Sequence, residues 1–218
     1  MGRVPWIVLA APTFAIACGA PSSVMPAPSP SAAAPSPVPV VDQAYELRAA
    51  SDIGFVSTGG MSPQTFTVGI AGKVTGADLI ANGGLITGAI ESEQSCAQGV
   101  TLDIQLLATS ADGSPSSQVV ASGQIPNSRL AQRRIGDPQP YDFVHVDLTP
   151  QVDVTVGSIL ALTATFSGFR CGEILGAGDG RTPSTYPGGS LFVQGPNSTW
   201  LPVPFLDYFF RTYVLPRR

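Results

Sequence analysis

The chain has 218 residues, among them 24 glycines and 21 prolines, and only 12% are charged, against roughly 25% in an average soluble domain. Hydrophobic residues, at 44%, suffice for a core, which excludes disorder throughout. A net charge of −4 argues against the basic face of a nucleic-acid binder, and one His with three Cys leaves little material for a transition-metal site.

The chain opens with Arg3 followed by an apolar run over residues 4–17. The run is shorter than the roughly 20 residues a membrane-spanning helix needs, and Pro5 and Pro12 would interrupt it. It has the layout of an export signal. Ala15-Ile16-Ala17-Cys18 resembles the bacterial lipobox, in which small or aliphatic residues precede a Cys that becomes the acylated first residue. The likeness implies a signal peptide over residues 1–17 and lipidation at Cys18. Ala15 stands where the pattern prefers Leu, and an ordinary secretory signal cleaved near Ala17 is the alternative. Lipidation would make the membrane a partner, since acyl chains contribute about 0.8 kcal/mol per buried CH₂.

Residues 18–40 then form a stretch of Pro, Ala, Ser and a few Val, uncharged, with seven prolines between Gly19 and Val40. Such a segment favours extended polyproline geometry, about 3.1 Å per residue, and reads as a tether. Charge returns with Asp42, Glu46, Arg48 and Asp52. No second linker and no repeat follows, so residues 41–218 are expected to form one domain.

Within that domain the pattern has period two. Residues 64–68 alternate polar and apolar. Residues 101–106 set Leu102, Ile104 and Leu106 against Thr101, Asp103 and Gln105. Residues 143–148 set Val144, Val146 and Leu148 against Phe143, His145 and Asp147. Residues 159–166 align Leu160, Leu162, Ala164 and Phe166. Residues 207–214 set Tyr208, Phe210, Thr212 and Val214 against Phe209, Arg211 and Tyr213. Successive side chains of a strand point to opposite faces, so each run predicts a strand. The last should be an interior strand with Phe210 and Val214 in the core, and residues 216–218 a tail with nothing to bury. Turn clusters such as Asn82-Gly83-Gly84 and Asp112-Gly113-Ser114-Pro115 separate the runs. One short helix is expected over residues 127–134, with Asn127 or Ser128 as N-cap. Short strands divided by turns predict an all-β sandwich or barrel.

Several segments, in this order, carry a further likeness: Gln64-Thr65-Phe66-Thr67-Val68-Gly69, Gly113-Ser114-Pro115-Ser116, Thr155-Val156-Gly157-Ser158, Tyr186-Pro187-Gly188-Gly189-Ser190, Ser198-Thr199-Trp200 and residues 207–214. The chain from about 41 to 215 resembles bacterial extracellular jelly-roll modules of the carbohydrate-binding or anchoring kind. The resemblance implies a single antiparallel jelly-roll-like β-sandwich without catalytic residues or cofactor. It departs before Tyr186, where an aromatic-rich stretch is replaced by Phe169-Arg170-Cys171-Gly172-Glu173.

The candidate chemistry is sparse. Cys96 and Cys171 remain after Cys18, and in an oxidising compartment two such cysteines pair; free or intermolecular thiols are the other reading. His145 and Asp147 share a strand face but lack a nucleophile elbow, so a surface role outweighs a triad. Glu91 and Glu93, two apart, suit a solvated loop better than a glycosidase pair. Gly176-Ala177-Gly178-Asp179-Gly180 offers one carboxylate to a Ca²⁺ ion, too few beside a plain turn. Tyr186, Trp200 and Tyr208 are the candidates for stacking on sugar rings, with core packing as the bland alternative. The expectation is a non-catalytic, lipid-anchored envelope protein, exported to the outer membrane or cell surface, that binds a glycan or another envelope component. The alternative is a structural or protein-interaction domain without carbohydrate affinity. Neither reading involves nucleic acid.

Overall fold

The computed structural model describes residues 36–46, 53–57, 61–84, 96, 99–132, 142–168, 171–178 and 186–217, all within a compact unit spanning Ser36–Arg218. The segments with period-two alternation form strands, and so do several that lack it. The first half of the domain supplies β1 (Val40–Tyr45), β2 (Ile53–Ser57), β3 (Gln64–Thr67), β4 (Gly72–Gly83), β5 (Thr101–Thr109) and β6 (Pro115–Pro126). The second half supplies β7 (Ala131–Gln132), β8 (Phe143–Val154), β9 (Ile159–Phe166), β10 (Gly172–Ala177), β11 (Leu191–Gln194), β12 (Trp200–Val203), β13 (Asp207–Tyr208) and β14 (Phe210–Pro216). The fold is all-β and sandwich-like. Pairing among these strands is antiparallel, apart from the short parallel contact of β4 with β7.

One layer runs β1-β14-β4-β8 and the other β6-β5-β9-β3-β11-β12, with β6 meeting β8 at Ser122 and Thr149. The alternating strands turn their apolar faces inward. Leu102, Ile104 and Leu106 of β5, Leu162 and Phe166 of β9 and Phe66 of β3 face Ala77 and Leu79 of β4, Val146 and Leu148 of β8 and Phe210 and Val214 of β14 in one continuous core. The Phe66 and Phe210 rings, 6.1 Å apart, close it across the layers.

β4 shows why alternation is not the only mark of a strand. Its sequence, GKVTGADLIANG, has no sustained period-two pattern, and nearly all of it is buried. It lies between β14 and β8 over its first part and meets β10 through Ala81–Gly83 at its end. Lys73, Val74 and Thr75 alternate, but the register shifts between Val74 and Gly76 and from Gly76 onward every residue is buried, so the later part has no solvent side on which to alternate.

Residues 207–214 are two strands rather than one. β13 pairs with β10, β14 pairs with β1 and β4, and the chain changes partners at Phe209, whose N–H donates to the Leu175 carbonyl at 3.1 Å. The corner explains why aromatics stand on both faces: Phe209 packs on Tyr45, and Phe210 on Phe66. The strand also continues past Val214, because Leu215 and Pro216 pair with Lys73 and Gly72.

The helix expected over residues 127–134 does not form over its described part, residues 127–132. Asn127–Arg129 make one turn of 3-10 helix, and Ala131–Gln132 are already strand. Asn127 does not cap; its side chain is buried and its Nδ2 donates to the Cys96 carbonyl at 2.6 Å. Leu130 enters the core. Tertiary contacts at both ends of the segment override a short, weak local preference.

Candidate ligand-binding site

The three aromatic candidates part company in the structure. Tyr208 is fully buried and Tyr186 nearly so, and neither ring is available to a ligand at the surface. The Tyr186 ring stands edge-on to Phe210 at 5.2 Å and tilts against Tyr45 at 5.7 Å. Burial pushes both phenols well above their ordinary range. They belong to the core because the inner faces of the layers need large apolar bodies, and aromatic content alone does not distinguish that need from a sugar platform.

Trp200 is placed differently. It opens β12, half-buried, on the outer face of the β11–β12 pair, where it stands opposite Gln194 while Phe192 stands opposite Pro202. Trp200, Phe192 and Pro202 line an open groove of about 520 Å³ together with Thr65, Thr67 and Ile159. Two loops bound it: Asp112-Gly113-Ser114 and Pro187-Gly188-Gly189-Ser190. The period of two makes this surface, since Phe66 and Leu191 point to the core while Thr65, Thr67 and Phe192 point away.

Hydrogen bonds fix the second loop to β3. Ser190 N–H donates to Thr65 Oγ1 at 2.9 Å, Thr65 N–H to the Ser190 carbonyl at 2.9 Å and Thr67 Oγ1 to the Gly188 carbonyl at 3.1 Å. Gly189 is required there, because a Cβ would collide with the Thr65 carbonyl. On the other side, Asp112 Oδ1 accepts from the Ser114 hydroxyl at 2.7 Å and the Ser114 N–H at 3.0 Å. The hydroxyl bond and then the N–H bond hold the Asp112 carboxyl below its ordinary range. The groove thus combines aromatic faces with hydroxyls, a carboxylate and backbone groups on positioned loops. Its chemistry suits a polyhydroxylated ligand with apolar C–H faces. Phe192, Thr65 and Thr67 escape the sequence reading because only the β3–β11 pairing sets them beside Trp200.

Cys96 and Cys171 form a disulfide with Cα atoms 5.0 Å apart, both side chains buried. It ties the segment between β4 and β5 to the start of β10. Cys18, Glu91 and Glu93 lie outside the described residues, as do Asp179 and Gly180 of the glycine-rich stretch. Gly176 and Ala177 are strand residues paired with β2 and β13. Gly178 has a positive φ of 147°, where a Cβ would meet the Phe205 carbonyl.

The outer face of the other layer carries a polar cluster centred on Asp78 of β4. Its Oδ1 lies 2.6 Å from His145 Nδ1, and its Oδ2 accepts from the Tyr213 hydroxyl at 2.7 Å. Arg211 Nη1 stands 3.5 Å from the same Oδ2, and Arg211 Nε donates to Glu46 Oε1 at 2.6 Å. The guanidinium covers the Phe143 ring at 4.1 Å. The bond to Asp78, with burial and the Asp78 charge behind it, raises the Tyr213 phenol above its ordinary range and keeps it a donor. His145 Nε2 faces Asp147 Oδ1 at 3.5 Å, a carboxylate where a triad would hold its nucleophile. Comparison with known proteins finds no family model, no curated relative and no solved structure that matches the chain.

Proposed function

We propose that the protein is an exported, lipid-anchored envelope protein whose non-catalytic β-sandwich binds a glycan in the Trp200 groove. The observation that carries this reading is the placement of Trp200 and Phe192 on an outer sheet face, between two loops rich in hydrogen-bonding groups. Sugar rings offer apolar C–H faces to aromatics and hydroxyls to such loops. The lipobox-like residues ending at Cys18, the proline-rich tether and the likeness to jelly-roll carbohydrate-binding modules support the same reading from the sequence.

Wild-type protein on a glycan array should mark a restricted set of structures. Trp200→Ala should weaken those signals at least about tenfold, equivalent to about 1.4 kcal/mol, with a smaller fall in melting temperature than a core variant gives, because the ring is only partly buried. A blank array, or equal signals from the variant, removes the glycan reading.

Anchoring is tested separately. Cys18→Ser should move the protein from the detergent-dependent membrane fraction to a soluble one, or block its processing. Unchanged fractionation would reject lipidation at this residue.

A specific observation favours a second reading, in which the domain binds protein. On the opposite face of β11–β12, Val193 and Leu201 stand directly across from each other, 37% and 47% exposed. Among the described residues β12 pairs only with β11, so its outer edge could accept a strand from a partner. A blank glycan array together with a crosslinked envelope partner that is lost in Leu201→Lys would favour it.

A further inference from the structure

We propose that the Trp200 groove selects non-acidic sugars: it accepts hydrogen bonds from hydroxyl or amine groups and turns away glycans that carry carboxylate, sulfate or phosphate. This rests on the glycan reading above and adds to it the chemical class of the ligand.

The hydrogen-bond donors along the groove are largely committed within the protein. Thr65 Oγ1 donates to the Ser190 carbonyl at 3.1 Å, and Thr67 Oγ1 to the Gly188 carbonyl at 3.1 Å. The Ser114 N–H and hydroxyl both donate to Asp112 Oδ1, at 3.0 and 2.7 Å. The Ser190 N–H is taken by Thr65 Oγ1 at 2.9 Å, and the Gly113 N–H by the Ser110 carbonyl at 2.9 Å. A hydroxyl has one proton but two lone pairs, so Thr67 and Ser114 keep acceptor capacity after giving their protons away. Both bonds from Ser114 reach Oδ1 of Asp112, an exposed residue, which leaves Oδ2 to accept from a ligand. The two loops and β3 therefore offer a ligand mainly acceptors. Sugar hydroxyls and ammonium groups bring the protons that such a surface lacks. An ionised carboxylate is acceptor-only and brings none.

Charge points the same way. Among the described residues that line the groove, Asp112 is the one that ionises, and no Lys, Arg or His stands there to pair with an anion. Trp200 and Phe192 add to this, since the face of an aromatic ring is the negative part of its quadrupole. It attracts C–H and ammonium groups and repels anions. The net charge of −4 on the whole chain opposes anions at longer range. An acidic sugar entering the groove would lose hydration with no cation among these residues to replace it.

The test takes a non-acidic oligosaccharide marked on the glycan array and its uronate form, made by oxidising its primary hydroxyls to carboxylates. The two compete for wild-type protein in solution. The parent oligosaccharide is expected to bind at least about tenfold more tightly than its uronate form. Asp112→Asn keeps an oxygen to accept the Ser114 bonds and removes the charge. At low salt it should narrow that gap roughly fivefold, the factor for two unit charges about 4 Å apart in water, with the melting temperature unchanged. Equal affinity for the two forms, an array that marks only acidic glycans, or a gap that Asp112→Asn leaves intact overturns the selectivity while the glycan reading stands. A blank array removes the glycan reading itself, and this inference with it.

Discussion

Replacing Phe210 with Ala should lower the stability of the domain by about 3–5 kcal/mol, the range for deleting a large aromatic from a packed core. Phe210 is fully buried at the point where the layers and the corner meet. Its ring stands 5.2 Å from Tyr186 and 6.1 Å from Phe66, and its backbone pairs with Tyr45 on one side and Leu79 on the other. Truncation opens a space that Tyr186 cannot fill, because the loop that follows it is hydrogen-bonded to β3. Single domains hold only about 5–15 kcal/mol in total, so the loss should appear as a large fall in the denaturation midpoint. Urea unfolding followed by circular dichroism measures it, with an unchanged m-value showing that the same surface is exposed. A loss below about 1 kcal/mol would remove Phe210 from the centre of the core. Because Tyr186 leads directly into the groove loop, the variant should also weaken any ligand that binds beside Trp200. Trp200→Ala, by contrast, should cost less, because its ring is only partly buried.

Removing the disulfide should have an effect of the same order. Cys96 and Cys171 are 75 positions apart, and the chain-entropy model assigns roughly 4.5 kcal/mol to closing a loop of this length in the unfolded state. Native disulfides of small secreted domains contribute about 2–5 kcal/mol when measured by deletion. Cys96→Ala with Cys171→Ala avoids burying new hydroxyls at two positions that are at most 1% exposed. The folded contacts around the bridge should survive, since the Asn127 side chain reaches the Cys96 backbone rather than its sulfur. The double variant should unfold at much lower denaturant, and adding reductant should bring the parent protein to the same midpoint. A double variant within about 1 kcal/mol of the oxidised parent would show that the unfolded chain is already restricted by other means.

What the sequence determined by itself is local or compositional. Alternation marks β5, β9 and the first half of β8, because one face of each turns to the core and the other does not. The all-β class follows from such runs, and the disulfide from counting cysteines. These are properties of neighbouring residues or of the whole inventory, and no tertiary contact is needed to read them. Where both faces are covered the signal disappears, which is why β4 has no legible pattern although the polar cluster and much of the core depend on it. Residues 127–132 failed as a helix because the fold uses Asn127 and Leu130 for contacts with distant residues.

Sites are decided by the tertiary structure. Tyr186, Trp200 and Tyr208 look alike in a sequence, and only the order of strands sends two of them into the core and leaves the third on a sheet face. The groove joins β3, β11, β12 and two loops that lie far apart along the chain. Asp78 and His145 are 67 residues apart, and no spacing rule couples them. Register does, because antiparallel pairing of β4 with β8 sets the two side chains directly opposite on the same face. A period of two tells each residue which face it occupies. The partner it meets there is chosen by the strand that packs alongside, a choice that depends on burying the whole apolar surface at once.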